Sequence, residues 1–373
     1  MNQSYNKYDL LGQLLGNADL QTFVDKVMST RHNIAKWKSY FAWDTMKIDD
    51  SFDAMEAEVD LYPMASLIDY DSPKPKRATQ GVTVYSGKIP KMGHAFDLTE
   101  QDLRQMMVII NRGGAVSSRE IFDLMYNTVN KLEFGAHARL NFMGFQGMST
   151  GKIVVDSSNN PDGGVIYTVD LRVPSDNKKY AGFSNGVSAA WTDPTATPLT
   201  DLKDWVEWAE DNYLPTELMR MSKNLWRIFS THPNVIKDVR AYFANTNLTG
   251  GVVANAQLRA YMNEIGLPPV EIIDERSGLQ IDGVTTNVGA WDDSNITLSA
   301  AGRVGLVKNA EPISVKDPSK RTAFTEGGRI KIVEKNDDSL ITRGFEMEAL
   351  AVPILSSAKQ YSIFDTSQTS AWL

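Results

Sequence analysis

Gly182-Phe183-Ser184-Asn185-Gly186 is the stretch of this chain closest in form to reaction machinery. A G-x-S-x-G pentapeptide can hold a serine on a sharp strand-to-helix turn, where a base and an oxyanion hole make its hydroxyl a nucleophile. The flanks do not supply that turn. Asp176-Asn177-Lys178-Lys179 has no strand pattern, Pro194 follows soon after, and the only downstream histidine is His232. The stretch reads as a flexible glycine loop, with a soluble α+β hydrolase built on Ser184 as the alternative. Gly147 and Gly151-Lys152 hint at a phosphate loop. With Gln146 and Ile153 in place, however, the first glycine and the magnesium-binding hydroxyl are both missing, and helix precedes strand.

The remaining chemistry-bearing residues are scattered. His32, His94, His137 and His232 lie far apart, none in an H-E-x-x-H spacing, so a zinc site would need convergence in tertiary structure. They read as ordinary helix or loop residues. The oxygen-rich segment 156–162 lacks both the D-x-[DN]-x-[DN]-G register and the later glutamate of a calcium loop, which leaves a solvated hairpin loop. Asp292-Asp293 beside Trp291 could be paired carboxylates, but nothing locates a partner acid or base, and adjacent charges usually mark a turn. No catalytic set, cofactor site or metal site is expected.

Composition narrows the class. The 373 residues are 42% hydrophobic, enough for a sizeable core in about two lobes. Zero cysteines exclude a disulfide framework, a thiol nucleophile and thiolate metal sites, and fit a reducing cytoplasm. Residues 1–7 show no basic stretch leading into an apolar run, and no run of about 18 apolar residues occurs, so neither export nor membrane spanning is expected. A net charge of −8 argues against tight, sequence-independent binding of nucleic acid.

The elements that must carry any function come next. Up to residue 62, Asp19 can cap a helix with Leu20, Phe23, Val24, Val27 and Met28 on one stripe, and 34–43 is rich in aromatics. This region is either an arm lying on another surface or a helical subdomain folded on its own chain. Residues 65–96 read as an extended two-stranded excursion with a Pro-punctuated basic tip at Lys74, Lys76 and Arg77, then alternating Val82, Val84 and Tyr85. The tip has no interleaved aromatics, so an intersubunit salt contact or plain solubility explains it better than nucleic-acid binding. Thr99 can cap a short helix with Leu103, Met106 and Met107.

Ser117 and Glu120 have capping-box spacing, and Ile121, Leu124, Met125, Val129, Leu132, Ala136, Leu140 and Met143 follow at steps of three and four. That predicts a spine helix over 117–147, which at 1.5 Å per residue would run roughly 46 Å. A plain core helix of an α/β enzyme would look the same. Strands are expected at 152–155 and 165–173 as a hairpin, a loop or insertion over 174–198, and a helix from Thr200 through Leu202, Trp205, Val206 and Ala209. A second lobe from Leu214 should hold a strand at 218–221, helices capped by Ser222, running 233–243, and capped by Asn255. Strands at 270–274, 304–308, 329–334 and 345–355 complete the pattern. The last can return to the spine.

In this order of elements the chain resembles the major capsid proteins of tailed bacteriophages with the HK97 (Hong Kong 97) fold, most like the lambda-type capsid protein E group. The matching stretches are Lys88-Ile89-Pro90-Lys91, the spine ending in Gly151-Lys152-Ile153-Val154-Val155, Gly266-Leu267-Pro268-Pro269-Val270-Glu271-Ile272-Ile273-Asp274, and Glu346-Met347-Glu348-Ala349-Leu350-Ala351-Val352-Pro353. The resemblance spans roughly 65–355. It implies an α+β HK97-like capsid fold: an N-terminal arm (1–62), an extended loop (63–98), a peripheral domain with the spine (99–214), an axial domain (215–309), and return strands with a C-terminal tail (310–373). It also implies pentamers and hexamers forming an icosahedral shell around double-stranded DNA, located in the virion and made in the host bacterial cytoplasm. Scaffold, portal and decoration proteins are the implied partners, with no membrane and no sequence-specific DNA contact. Lys74, Lys76, Arg77, Lys88 and Lys91 are the candidate intersubunit contacts. An encapsulin-like nanocompartment shell shares the fold and is the other alternative.

Overall fold

In a computed structural model of the chain, the described residues are 34–57, 82–98, 101, 104, 108, 115–161, 166–181, 186–243, 253–281, 284–312, 322–337 and 342–367. The expected spine is one helix, α1, running Ala115–Thr150 over 36 residues, about 54 Å at 1.5 Å per residue. It begins earlier than the sequence suggested. Ser117, expected at its N-terminal boundary, is the third residue of the helix. Leu132, Ala136, Leu140 and Met143 are buried as their spacing requires, and Phe142, Phe145 and Met148 are buried as well. A helix apolar on several faces has to be enclosed. Gly151 stops it with a left-handed φ of 73° and an N–H donated to the Gly147 carbonyl at 2.9 Å, a conformation that costs glycine least.

What encloses α1 is a six-stranded sheet organised on the late strand Thr342–Leu355. Along its first half this strand lies between Ile330–Asp337 and Lys91–Leu98; along its second it pairs with Gly305–Ala310. All three pairings are antiparallel. Phe41–Trp43 then joins Gly305–Ala310 in parallel, and Thr322–Thr325 closes the far edge. Long-range pairing of this kind delivers three distant stretches of chain to one helix. Phe41, Leu140, Phe145, Ile153, Val307, Val352 and Ile354 form the middle of this first core. The expected hairpin after the spine is present, with a shorter second strand: Lys152–Val155 pairs Tyr167–Asp170.

A second core gathers on a five-stranded sheet in which Asn295–Ser299 lies between Leu218–Ser222 and Ser362–Asp365, with Val270–Ile273 and Lys178–Lys179 at its edges. Around it pack α2 (Pro198–Asp211), α3 (Lys223–Thr231), α4 (Pro233–Tyr242) and α5 (Asn255–Glu264). Ser222 caps α3 as expected, accepting from the Leu225 N–H at 3.0 Å. Asn255 does not cap α5; it is the first helical residue, and Ala254 precedes it. The stretch read as a loop, 174–198, is partly structural: Lys178–Lys179 is a sheet strand, and Trp191 is in the core. The helix expected after Thr99 is represented by residues 101, 104 and 108; Leu103, Met106 and Met107 lie outside the described residues. Among the described residues no helix is long and apolar enough to cross a membrane.

One buried carboxyl in this core makes a pH prediction. Asp201, in the first turn of α2, accepts the Trp191 indole N–H at 2.9 Å. Burial nevertheless pushes its carboxyl up to about 6, with Asp204 adding to the rise. Between pH about 4 and 6 the folded chain therefore holds a proton that the unfolded chain has released, and stability falls as pH rises through that window. Asp201→Asn keeps the acceptor and removes the charge. It is expected to flatten the slope between pH 4 and 6 and to stabilise the chain at pH 7 by about 1–2 kcal/mol, read from urea midpoints across pH. An unchanged slope would refute the assignment.

Candidate assembly surface

Of the excursion expected over 65–96, residues 65–81 lie outside the described residues, Lys91–Leu98 joins the sheet on α1 instead, and Val82–Lys88 forms an antiparallel two-stranded ribbon with Ser51–Ala57, from the stretch read as the N-terminal arm, in register from Ser51 opposite Lys88 to Ala57 opposite Val82. Among the described residues no third strand pairs with it. Its base is fixed. Phe52 is buried beneath it, and a Cβ on Gly87 would lie 2.6 Å from the Phe52 ring, so the close approach needs glycine there. The Ile89 N–H donates to the Asp50 carbonyl at 2.7 Å, and the Tyr167 hydroxyl donates to the Lys88 carbonyl at 2.7 Å. A ribbon anchored at one end and joined by no third strand among the described residues can offer backbone donors and acceptors along its edges to whatever lies alongside.

The proposed contact residues fall unevenly on this surface. Lys74, Lys76 and Arg77 lie outside the described residues. Lys88 is exposed at the end of the ribbon. Lys91, 63% exposed, already has a partner within the chain, the Glu348 carboxylate at 3.0 Å on the neighbouring strand.

Sequence reasoning missed the role of 34–44, which ties the spine, the sheet turn and the second core together. The Trp37 N–H donates to Asn141 Oδ1 at 2.9 Å, and the Asn141 amide donates to the Ile34 carbonyl at 2.8 Å. The Tyr40 hydroxyl donates to Glu271 Oε1 at 2.8 Å; burial, reinforced by that carboxylate, pushes the hydroxyl's pKa up. Lys308 bonds Asp44 at 2.7 Å. Glu326, on a turn with a left-handed φ of 52°, accepts from Lys38 Nζ at 2.6 Å and from the Trp43 indole at 2.9 Å. Burial alone would raise its carboxyl, but these bonds hold it below its ordinary value. The aromatic count of this segment was the available signal; its partners, remote in sequence, were not.

His137 departs from the expectation of an ordinary helix residue. Its Nε2 faces Glu133 Oε1 and Glu326 Oε1, each at 3.6 Å, while its Nδ1 accepts the Trp37 indole N–H at 3.2 Å. The tertiary convergence that a lone histidine would need is therefore present here.

The other motifs resolve as turns and caps. Ser184 lies outside the described residues. His232, the histidine downstream of it, spends both ring nitrogens on structure: Nε2 meets the Asp193 carbonyl at 3.0 Å, and Nδ1 accepts the Asn234 N–H at the start of α4. Asp292 accepts the Ser294 N–H at 2.8 Å, and Asp293 accepts from Asn224 at 3.2 Å, both exposed as a solvated turn should be. Asp156 accepts from Ser158 in the loop after Lys152–Val155, and those bonds lower its carboxyl.

A model of the family described as phage major capsid protein E matches residues 38–355. No curated protein matches the chain. Among solved structures the chain is similar to a phage-related protein from Bordetella bronchiseptica RB50, at 13% identity over 94% of this chain and 98% of that one, TM-score 0.49. It is also similar to a putative prophage capsid protein from E. coli CFT073, at 12% identity over 92% and 96%, TM-score 0.49. A third is the capsid of Myoviridae phage XM1, at 10% identity over 90% and 93%, TM-score 0.42.

Proposed function

The chain belongs to the phage major capsid protein E family, and from that premise we propose how it builds a shell. As a member it is a structural protein of the phage capsid with an α+β, HK97-like fold, and not an enzyme. In the proposal, subunits close into pentamers and hexamers, which tile an icosahedral head around double-stranded DNA. In the same proposal 63–98, with Val82–Lys88 of the ribbon, is the extended loop, 99–214 with α1 is the peripheral domain, 215–309 with α3, α4 and α5 is the axial domain, and 310–373 supplies the return strands and tail. Lys74, Lys76, Arg77, Lys88 and Lys91 reach neighbouring subunits, and scaffold, portal and decoration proteins are the partners during synthesis in the host cytoplasm.

The observation that carries this reading is the ribbon, anchored at its base and joined by no third strand among the described residues. Many weak backbone and side-chain contacts repeated over copies hold a closed assembly together without any one of them being strong. A variant in which 58–81 is replaced by a short Gly-Ser turn keeps every residue named in the two cores and both described strands of the ribbon. The expected variant melts within a few degrees of the parent and forms no capsomers by sedimentation. Parent-like yields of assembled particles would overturn the assignment of the ribbon.

A further inference from the structure

We propose that Glu133, His137 and Glu326 bind a divalent transition-metal ion that staples the turn between Thr322–Thr325 and Ile330–Asp337 to α1. Glu133 and His137 are four residues apart on α1 and so share a face; Glu326 arrives from the sheet turn. One donor atom from each lies within 4.8 Å of the others. The two 3.6 Å separations from His137 Nε2 are too long for hydrogen bonds. They match the spacing between ligands that share an ion bound at about 2.1 Å.

The second, independent observation is a missing charge partner. Among the described residues Glu133 Oε2 is buried with no hydrogen-bond partner, on a side chain only 5% exposed. Neither nearby cation serves it. Lys38 sits on Glu326 Oε1 at 2.6 Å. The His137 ring faces Glu133 Oε1, at 3.6 Å, rather than Oε2. A buried carboxylate left in this condition calls for an added cation, and a mixed imidazole–carboxylate donor set suits zinc, cobalt or nickel better than calcium.

The proton balance is explicit. Before binding, the ring hydrogen sits on Nε2; the ion takes the Nε2 lone pair, the hydrogen moves to Nδ1, and the Trp37 indole loses its acceptor. Metal binding must therefore disturb Trp37.

The test titrates Co²⁺ into the chelator-stripped full chain and its Glu133→Gln and His137→Gln variants, with tryptophan fluorescence, visible absorption and melting recorded together. The expected result is about one cobalt per chain with the d–d bands of a low-coordinate site, a fluorescence change, and a melting temperature raised by several degrees. Glu133→Gln is isosteric and is expected to weaken binding by at least about tenfold, as is His137→Gln. Absence of stoichiometric cobalt would overturn the proposal, and so would variants that bind as tightly as the parent, which would mark surface adsorption only.

Discussion

Replacing Glu271 by leucine is expected to cost the chain about 3 kcal/mol, because it strands a buried charge. Arg220 is 1% exposed and donates from Nε to Glu271 Oε2 at 2.9 Å; its remaining nitrogens reach Ser299 Oγ and the Gly302 carbonyl. Those neutral acceptors satisfy hydrogen bonds but not charge. The same carboxylate accepts the Tyr40 hydroxyl, so its loss also loosens 34–44 from the second core. The double variant Arg220→Met with Glu271→Leu removes both charges and is expected to recover at least half of the loss, since an apolar pair is often as stable as the ion pair it replaces. Denaturant midpoints of the four chains in the cycle measure this. A Glu271→Leu chain within 0.5 kcal/mol of the parent would contradict it.

Gly305→Ala is expected to be as damaging, at about 3 kcal/mol, through overpacking rather than charge. Gly305 stands opposite both Phe41 and Leu355 where the parallel and antiparallel pairings meet. A Cβ there would lie 2.1 Å from the Ile354 carbonyl oxygen and 2.7 Å from the buried Phe41 ring. Neither neighbour is the loose end of a flexible side chain. One strand must move, and the Phe41–Trp43 strand is the shorter and weaker partner, so the variant should expose 34–44 to hydrogen exchange before the rest of the sheet. Gly302→Ala is the contrast: space around it is open, and its strain comes only from a left-handed φ of 90°. Equal exchange in the parent and Gly305→Ala would remove the argument.

The spine was legible because a run of apolar residues at three- and four-residue steps has few other solutions, and Thr342–Leu355 was legible because a long apolar run with β-branched residues reads as a buried strand. The hairpin Arg276–Ile281 with Val284–Gly289 was not read. Its second strand is largely exposed and rich in Thr, Asn and Gly, so no face-to-face alternation marks it. Ser362–Asp365 was missed for the opposite reason: all four residues are buried, and four buried residues carry no period. At the His137 cluster, the four-residue spacing of Glu133 and His137 was visible, but Glu326 and Trp37 come to them only through sheet pairing and the path of 34–44. Order and spacing of elements were enough to reach the capsid family. Individual contacts were set by pairings that no local pattern records.

The central claim, a subunit that assembles into a shell, is tested most directly by expressing the full chain in bacteria, fractionating by size and imaging each fraction by negative-stain microscopy. Rings of five or six subunits, tubes or closed shells are the predicted result. A chain that remains monomeric at every concentration, with both cores folded, would contradict it.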